Sequence, residues 1–131
     1  MIVRNIDSLR GTTNEIRADN WTSTRLLLQN DNMGFSFHET IVHPNTETKI
    51  WYKNHLEAVY CIEGNGEIEE EYGTKHEICS GVVYALNKHE KHILRSFSKM
   101  KMICVFNPAL VGPETHDENG VYPLIQTPGG K

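Results

Sequence analysis

From Arg25 to Phe106 the chain repeats one pattern. A short run rich in β-branched and aromatic residues is followed by a turn signal, at intervals of roughly 8 to 12 residues. Candidate strands span Arg25 to Gln29, Phe35 to Val42, Thr46 to Lys53, His55 to Glu63, Glu67 to Tyr72, His76 to Cys79, Val82 to Leu86, His92 to Phe97 and Met100 to Phe106. Turns fall at Asn30-Asp31-Asn32, His43-Pro44-Asn45, Gly64-Asn65-Gly66, Gly73-Thr74 and Ser80-Gly81, where Gly and Asn tolerate a positive φ. Only Ser8 to Arg17 reads as a helix, and weakly. So many short strands must hide their edges, which points to an all-β barrel or double-sheet jelly roll with an interior able to hold a ligand.

The chain has 131 residues, enough for one domain over residues 1–131 and too few for paired nucleotide-binding halves or a barrel of alternating strands and helices. Thirteen Lys and Arg against seventeen Asp and Glu give a net charge of −4, which excludes a broad footprint for nucleic acid. The expected partner is a small molecule. No apolar run approaches the ~20 residues that span a bilayer, and the first residues lack an apolar signal-peptide core, so a cytoplasmic, membrane-free setting is expected. Cys61, Cys79 and Cys104 are odd in number and widely spaced, as reduced packed thiols are.

Alternation gives the inward faces. In His55 to Glu63, the residues His55, Glu57, Val59 and Cys61 share one side, so the Glu57 carboxylate lies with apolar neighbours and needs a partner. Tyr84 falls between Val82 and Leu86 on one face, and His92 opens the next strand, a hairpin away. Taken singly, these three have structural readings as well: a carboxylate paired with a cation, a core phenol bonded to backbone, a packed histidine. His38, His43, His55, His76 and His89 read as solvated or locally bonded. Glu67, Glu69, Glu70 and Glu71 read as a solvated hairpin face.

The segment from Glu57 to Gly64 resembles half of the first cupin motif, and Gly81 to His92 keeps the spacing of the second, with Asn87 and His89 where proline and glycine are usual. The two histidines that usually precede the glutamate are missing; Ile50 to Lys53 stand there instead. Three longer strings, GFSFHETIVHPNTETKIWYKNHLEAVYCIEGNGEIE, VYALNKHEKHILRS and CVFNPALVGPETHDENGVYPLI, resemble the ectoine synthase family, and the likeness runs from Met1 to Ile125.

The resemblance implies a cupin-type jelly roll with short flanking helical segments. It also implies a hydro-lyase that closes N-γ-acetyl-L-2,4-diaminobutyrate to ectoine, a compatible solute of the osmotic stress response. It assigns an iron, Fe²⁺, to Glu57, Tyr84 and His92, a donor set of hard oxygens and one imidazole that suits iron. It puts the substrate among Trp21, Arg25, Thr40, Tyr52, Cys104, Phe106, Glu114 and His116. On this reading Arg25 clamps the α-carboxylate through its planar fork, Trp21 closes the wall beside it, Thr40 and Tyr52 offer hydroxyls, Phe106 packs the methylenes, and Glu114 and His116 are the candidates for proton transfer. A homodimer is expected. The other classes are a cupin oxygenase or sugar isomerase, disfavoured by the missing histidines, and a non-catalytic solute-binding cupin.

The tail from Gly112 to Ile125, within a segment 110–131, combines loop formers with an apolar anchor at Val121 to Ile125. It reads as a C-terminal lid, with Glu114 and His116 facing the open mouth of a barrel that folds without it.

Overall fold

The structure is a computed structural model and describes residues 1–125. Ten strands form it: β1 (Glu15–Arg17), β2 (Trp21–Leu27), β3 (Ser36–Val42), β4 (Glu47–Ile50), β5 (Leu56–Glu63), β6 (Asn65–Glu70), β7 (Lys75–Cys79), β8 (Val83–Leu86), β9 (His92–Ser96) and β10 (Met100–Asn107). Two antiparallel sheets result, one ordered β1-β2-β3-β10-β5-β8 and the other β4-β9-β6-β7. This is the expected all-β, double-sheet architecture. Glycine closes the tightest joint: β5 passes to β6 through Gly64 at φ 92°, and a Cβ there would run into the Lys99 carbonyl and Met100 Cα.

The inward residues change character along the barrel. Met100 and Met102 precede Cys104 in β10; Val42 follows Thr40 and His38 in β3; Cys61 and Val59 follow Glu57 in β5. The register aligns these series, with Met102 opposite Thr40 and Cys61, and Cys104 opposite His38 and Val59. One end is therefore filled with apolar side chains, joined by Ile68, Ile78 and Leu94 from the other sheet, and the opposite end is polar.

The N-terminal segment differs from expectation. Its helix is a single turn, α1 (Ile6–Leu9), capped by the Asn5 side chain, which accepts from Asp7 N, and Glu15–Arg17 is a strand. Gly11 at φ 74° ends helical geometry, and Asn14 is tied to β2 by two bonds, its carbonyl accepting from Arg25 N and its Nδ2 donating to Arg25 O. β2 begins at Trp21, four residues earlier than the alternation suggested. β8 and β9 are not hairpin partners: Tyr84 belongs to the six-stranded sheet and His92 to the four-stranded one.

The tail is also different from a cover laid on a finished barrel. Leu110, Val121 and Tyr122 are buried, and the Tyr122 ring stacks on Tyr52 at 4.9 Å and meets Phe106 edge-on at 5.4 Å. Gly120 runs against β4, accepting from Trp51 N at 2.9 Å, where a Cβ would strike the Lys49 carbonyl. A barrel stopped at Ala109 would lack these core side chains. The part of the expected lid at residues 126–131 lies outside the described residues.

Candidate active site

The polar end encloses a cavity with about 510 Å³ of space not filled by atoms, part of it open to solvent. Its wall takes Trp21 from β2, His38 and Thr40 from β3, Glu57 from β5, Tyr84 from β8, Cys104 and Phe106 from β10, Tyr52 from the β4–β5 connection, and His116 and Tyr122 from the tail. Strand alternation explains most of these positions. Every second residue of β3, β5, β8 and β10 points inward, and the register puts Glu57 level with Phe106 and Tyr84 level with Val59.

Glu57 and Tyr84 line this cavity, and His92 lies beside it, its ring 6.3 Å from that of Tyr52. Glu57 is buried, and among the described residues the Cys104 thiol is the group within hydrogen-bond reach of its carboxyl; burial raises its pKa to about 8. That thiol also lies 3.5 Å from Thr40 Oγ1. Burial holds the Tyr84 phenol well above its ordinary range. His92 Nδ1 is 3.0 Å from the Glu90 carbonyl, to which it donates, leaving Nε2 buried with no partner. An ionised carboxyl in such surroundings is expensive unless a cation joins it. Among the described residues no three His, Cys, Asp or Glu side chains converge as a metal cluster. The set of Glu57, Tyr84 and His92 differs in containing a phenol, and its uncompensated carboxyl and free imidazole lone pair fit a hard divalent cation.

The remaining candidates divide. His116 Nε2 lies 2.7 Å from the Tyr52 hydroxyl, and burial, helped by the Arg25 charge, lowers its pKa to about 4. Burial pushes Tyr52 well up, so its O–H stays protonated and donates to His116. Trp21 packs on His116 with ring centroids 5.1 Å apart. Arg25 is fully buried behind the wall, and each guanidinium nitrogen has a protein partner: Nε donates to Ser23 Oγ at 3.3 Å, Nη1 to the Gly112 carbonyl at 2.7 Å and Nη2 to the Tyr122 hydroxyl at 3.5 Å. Glu114 also stands behind the wall. Its two oxygens accept from Val111 N at 2.7 Å and Gly112 N at 2.8 Å, with Arg25 Nη1 3.9 Å away, so it fixes the path of the tail.

Two histidines read as solvated or locally bonded are buried instead. His38 and His55 are each 1 % exposed, and His38 Nε2 and His55 Nδ1 have no hydrogen-bond partner. His38 faces the cavity two residues before Thr40 on the same strand face, so strand alternation carried back from Thr40, which the resemblance named, reaches His38. His55 packs edge-on against Phe106 and Tyr122. His43, His76 and His89 do have local partners: the Asp19 carbonyl, Glu70 and the Tyr52 carbonyl. Glu67 and Glu69 are not merely solvated, since both accept from Arg95.

A family model described as ectoine synthase matches residues 1–126. The chain is 58% identical over 125 residues to the L-ectoine synthase of Hahella chejuensis, covering 95% of each sequence. It superposes on a crystal structure of ectoine synthase from P. lautus with a TM-score of 0.88 and 54% identity, covering 95% of this chain and 91% of that one. An RmlC-like cupin from Shewanella frigidimarina is similar in fold alone, with a TM-score of 0.61 at 16% identity over 72% of this chain and 82% of the other.

Proposed function

The chain belongs to the ectoine synthase family, and from that premise we propose that its polar cavity closes N-γ-acetyl-L-2,4-diaminobutyrate to ectoine with loss of water, assisted by Fe²⁺ held by Glu57, Tyr84 and His92. The observation that carries the reading is the uncompensated carboxyl of Glu57 on the cavity wall. A divalent cation there would supply Lewis acidity toward the acetamide oxygen.

Ring closure asks three things of the protein. The α-ammonium has no lone pair until it gives up a proton, the amine must meet the acetamide carbon at close range, and the oxygen must leave as water. His116 is the proposed proton acceptor on this reading, because its ring is neutral near pH 7 and its Nε2 already receives the Tyr52 O–H. A substrate N–H that donates to the Tyr52 oxygen can then pass its proton along that bond to His116. Phe106 and Tyr122 wall the methylenes and exclude water, Trp21 closes the side, and Thr40 and Cys104 offer a hydroxyl and a thiol beside Glu57. Of the two tail residues, His116 moves the proton and Glu114 positions the segment that carries it.

A second copy of the chain is the proposed protein partner. Leu56, Tyr60 and Ile62 on the outer face of β5 and Val83 of β8 leave exposed apolar surface, and Tyr60 and Val83 are register partners, which supports a homodimer. The three cysteines are free thiols, as a reducing cytoplasmic setting requires, and among the described residues no helix is long and apolar enough to cross a membrane. The function is tested by incubating purified, iron-loaded protein with the acetylated diaminobutyrate. A product lighter by the mass of one water is expected, and its absence with folded, metal-loaded protein would count against the reading.

A further inference from the structure

His38 is a buried imidazole with one nitrogen engaged and one free. Its Nδ1 lies 3.3 Å from Ser23 Oγ, and its Nε2 is buried in a residue that lines the cavity and finds no partner among the described residues. The proton on each atom follows from donor bookkeeping. Arg25 Nε can only donate, so Ser23 Oγ accepts from it. The Ser23 hydroxyl is itself buried, and His38 Nδ1 is the acceptor within its reach. Ser23 therefore donates to Nδ1. In a neutral imidazole the remaining proton then sits on Nε2, which makes that orphan a donor facing the cavity. Burial, together with the Arg25 charge, keeps the ring neutral.

A buried N–H with no acceptor is costly unless a ligand completes it. Its position selects which part of the ligand. Glu57 and Tyr84 lie on β5 and β8, whereas His38 lies on β3 with β10 between, two inter-strand steps from Glu57 and on the order of 10 Å away. If the acetamide oxygen sits toward Glu57 and Tyr84, the α-carboxylate, on the ring carbon beyond the attacking nitrogen, projects toward a neighbouring part of the wall. The Arg25 guanidinium behind His38 gives that wall positive potential, yet its own nitrogens are already bonded to Ser23, Gly112 and Tyr122. We propose that His38 is a substrate-binding residue whose Nε2–H donates to the α-carboxylate, with Ser23 and Arg25 fixing its tautomer. This rests on the ring-closing reading above and assigns the carboxylate to His38, with Arg25 acting through it.

The test compares two substrates in two proteins. N-acetyl-1,3-diaminopropane has the same amine, the same acetamide and the same ring to close, and lacks only the carboxylate. With the acetylated diaminobutyrate, His38→Leu should lower kcat/KM by about ten- to a hundredfold, mostly through KM, as loss of a hydrogen bond to a charged group predicts. His38→Asn, which keeps a donor, should recover part of the loss. With the analogue, which has no carboxylate to lose, the His38→Leu loss should be several-fold smaller. Equal losses on both substrates, or no loss on either, would overturn the assignment. Nitrogen NMR of the metal-free wild-type protein supplies a check that no variant's folding can blur: a neutral Nε2–H tautomer for His38 supports it, and an Nδ1–H tautomer or an imidazolium near pH 7 refutes it. A wild type that closes neither molecule would end the ring-closing reading and the assignment with it, a result distinct from an active wild type that His38→Leu equals.

Discussion

Two arginines show how differently one side chain can be used in this fold. Arg95, on the outer face of β9, donates to Glu47, Glu67 and Glu69 at 2.7 to 2.8 Å and keeps contact with water. Arg25, on the inner face of β2, is fully buried with one carboxylate 3.9 Å away and bonds mainly to carbonyl and hydroxyl oxygens. The outer cluster sets one arginine against three carboxylates at the water-exposed surface. In the inner cluster Arg25 is engaged at every nitrogen, whereas His38 Nε2 and His92 Nε2 have no partner among the described residues and burial raises the pKa of the Glu57 carboxyl to about 8; His38 and Glu57 line the cavity. Saturated surface pairs contribute little to stability because water competes for each charge. Under-satisfied buried groups lower stability, and a chain that keeps them does so for what they hold.

The sharpest break of this contrast would come from the tail, which completes the inner region. A chain ending at Ala109 removes Leu110, Val121 and Tyr122 from the core, and each large core side chain is worth about 2–5 kcal/mol. It should lose cooperative thermal unfolding. A truncated chain that still melts in one transition near the wild-type Tm would return the tail to the status of a removable lid.

Next in size is the proton path. Tyr52→Phe removes the hydroxyl that bonds His116, and His116→Gln removes the base, so each should lower kcat by about 10²- to 10⁴-fold. Steady-state rates at saturating substrate read this out, and unchanged rates in both variants would move proton transfer elsewhere.

His116→Gln should also alter acid stability. Burial lowers the pKa of His38, His55, His92 and His116, the last to about 4, so each stays neutral in the folded state after its unfolded counterpart has taken a proton near 6.5. Their stabilising contribution is complete above about 6.5 and is lost as the pH falls toward the folded values. Tm should therefore decline by several degrees between pH 6.5 and 4, and less steeply in His116→Gln. Parallel profiles would show that His116 is not the buried base described here.

The smallest effect belongs to the outer cluster. Arg95→Ala should cost about 1 kcal/mol or less and leave turnover unchanged. A loss of activity without a change in Tm would join the two regions that this comparison separates.

The same contrast explains what the sequence made legible. Where the inward face is apolar, alternation works: it put Glu57 beside Val59 and Cys61, and Tyr84 beside Leu86. Where the inward face is polar, the rule hides the strand. In Trp21-Thr-Ser-Thr-Arg25 the inward set includes Ser23 and Arg25, so the start of β2 looked like surface and β1 like the end of a helix. His38 and His55 were passed over for the same reason, being polar residues inside a wall that only a ligand completes. The tail's role was half visible: the apolar anchor was readable in sequence, whereas its place within the core depends on Tyr122 meeting Tyr52 and Phe106, residues far apart along the chain. That Tyr84 and His92 stand on different sheets follows from topology that local spacing does not encode.

The central claim is that the inner region trades stability for chemistry, and Glu57→Gln measures both sides at once. The amide keeps the shape and removes the ionisable group whose pKa burial raises to about 8. In the metal-free wild type that group favours folding while protonated and progressively loses that advantage as the pH rises from about 4.5 through about 8. Turnover of the acetylated diaminobutyrate with iron, and Tm of the metal-free proteins at pH 8.5, should be measured side by side. The account predicts that Glu57→Gln loses turnover by about a hundredfold or more while its Tm at pH 8.5 equals or exceeds that of the wild type. A variant that turns over at the wild-type rate, or one whose Tm falls along with its activity, would contradict it.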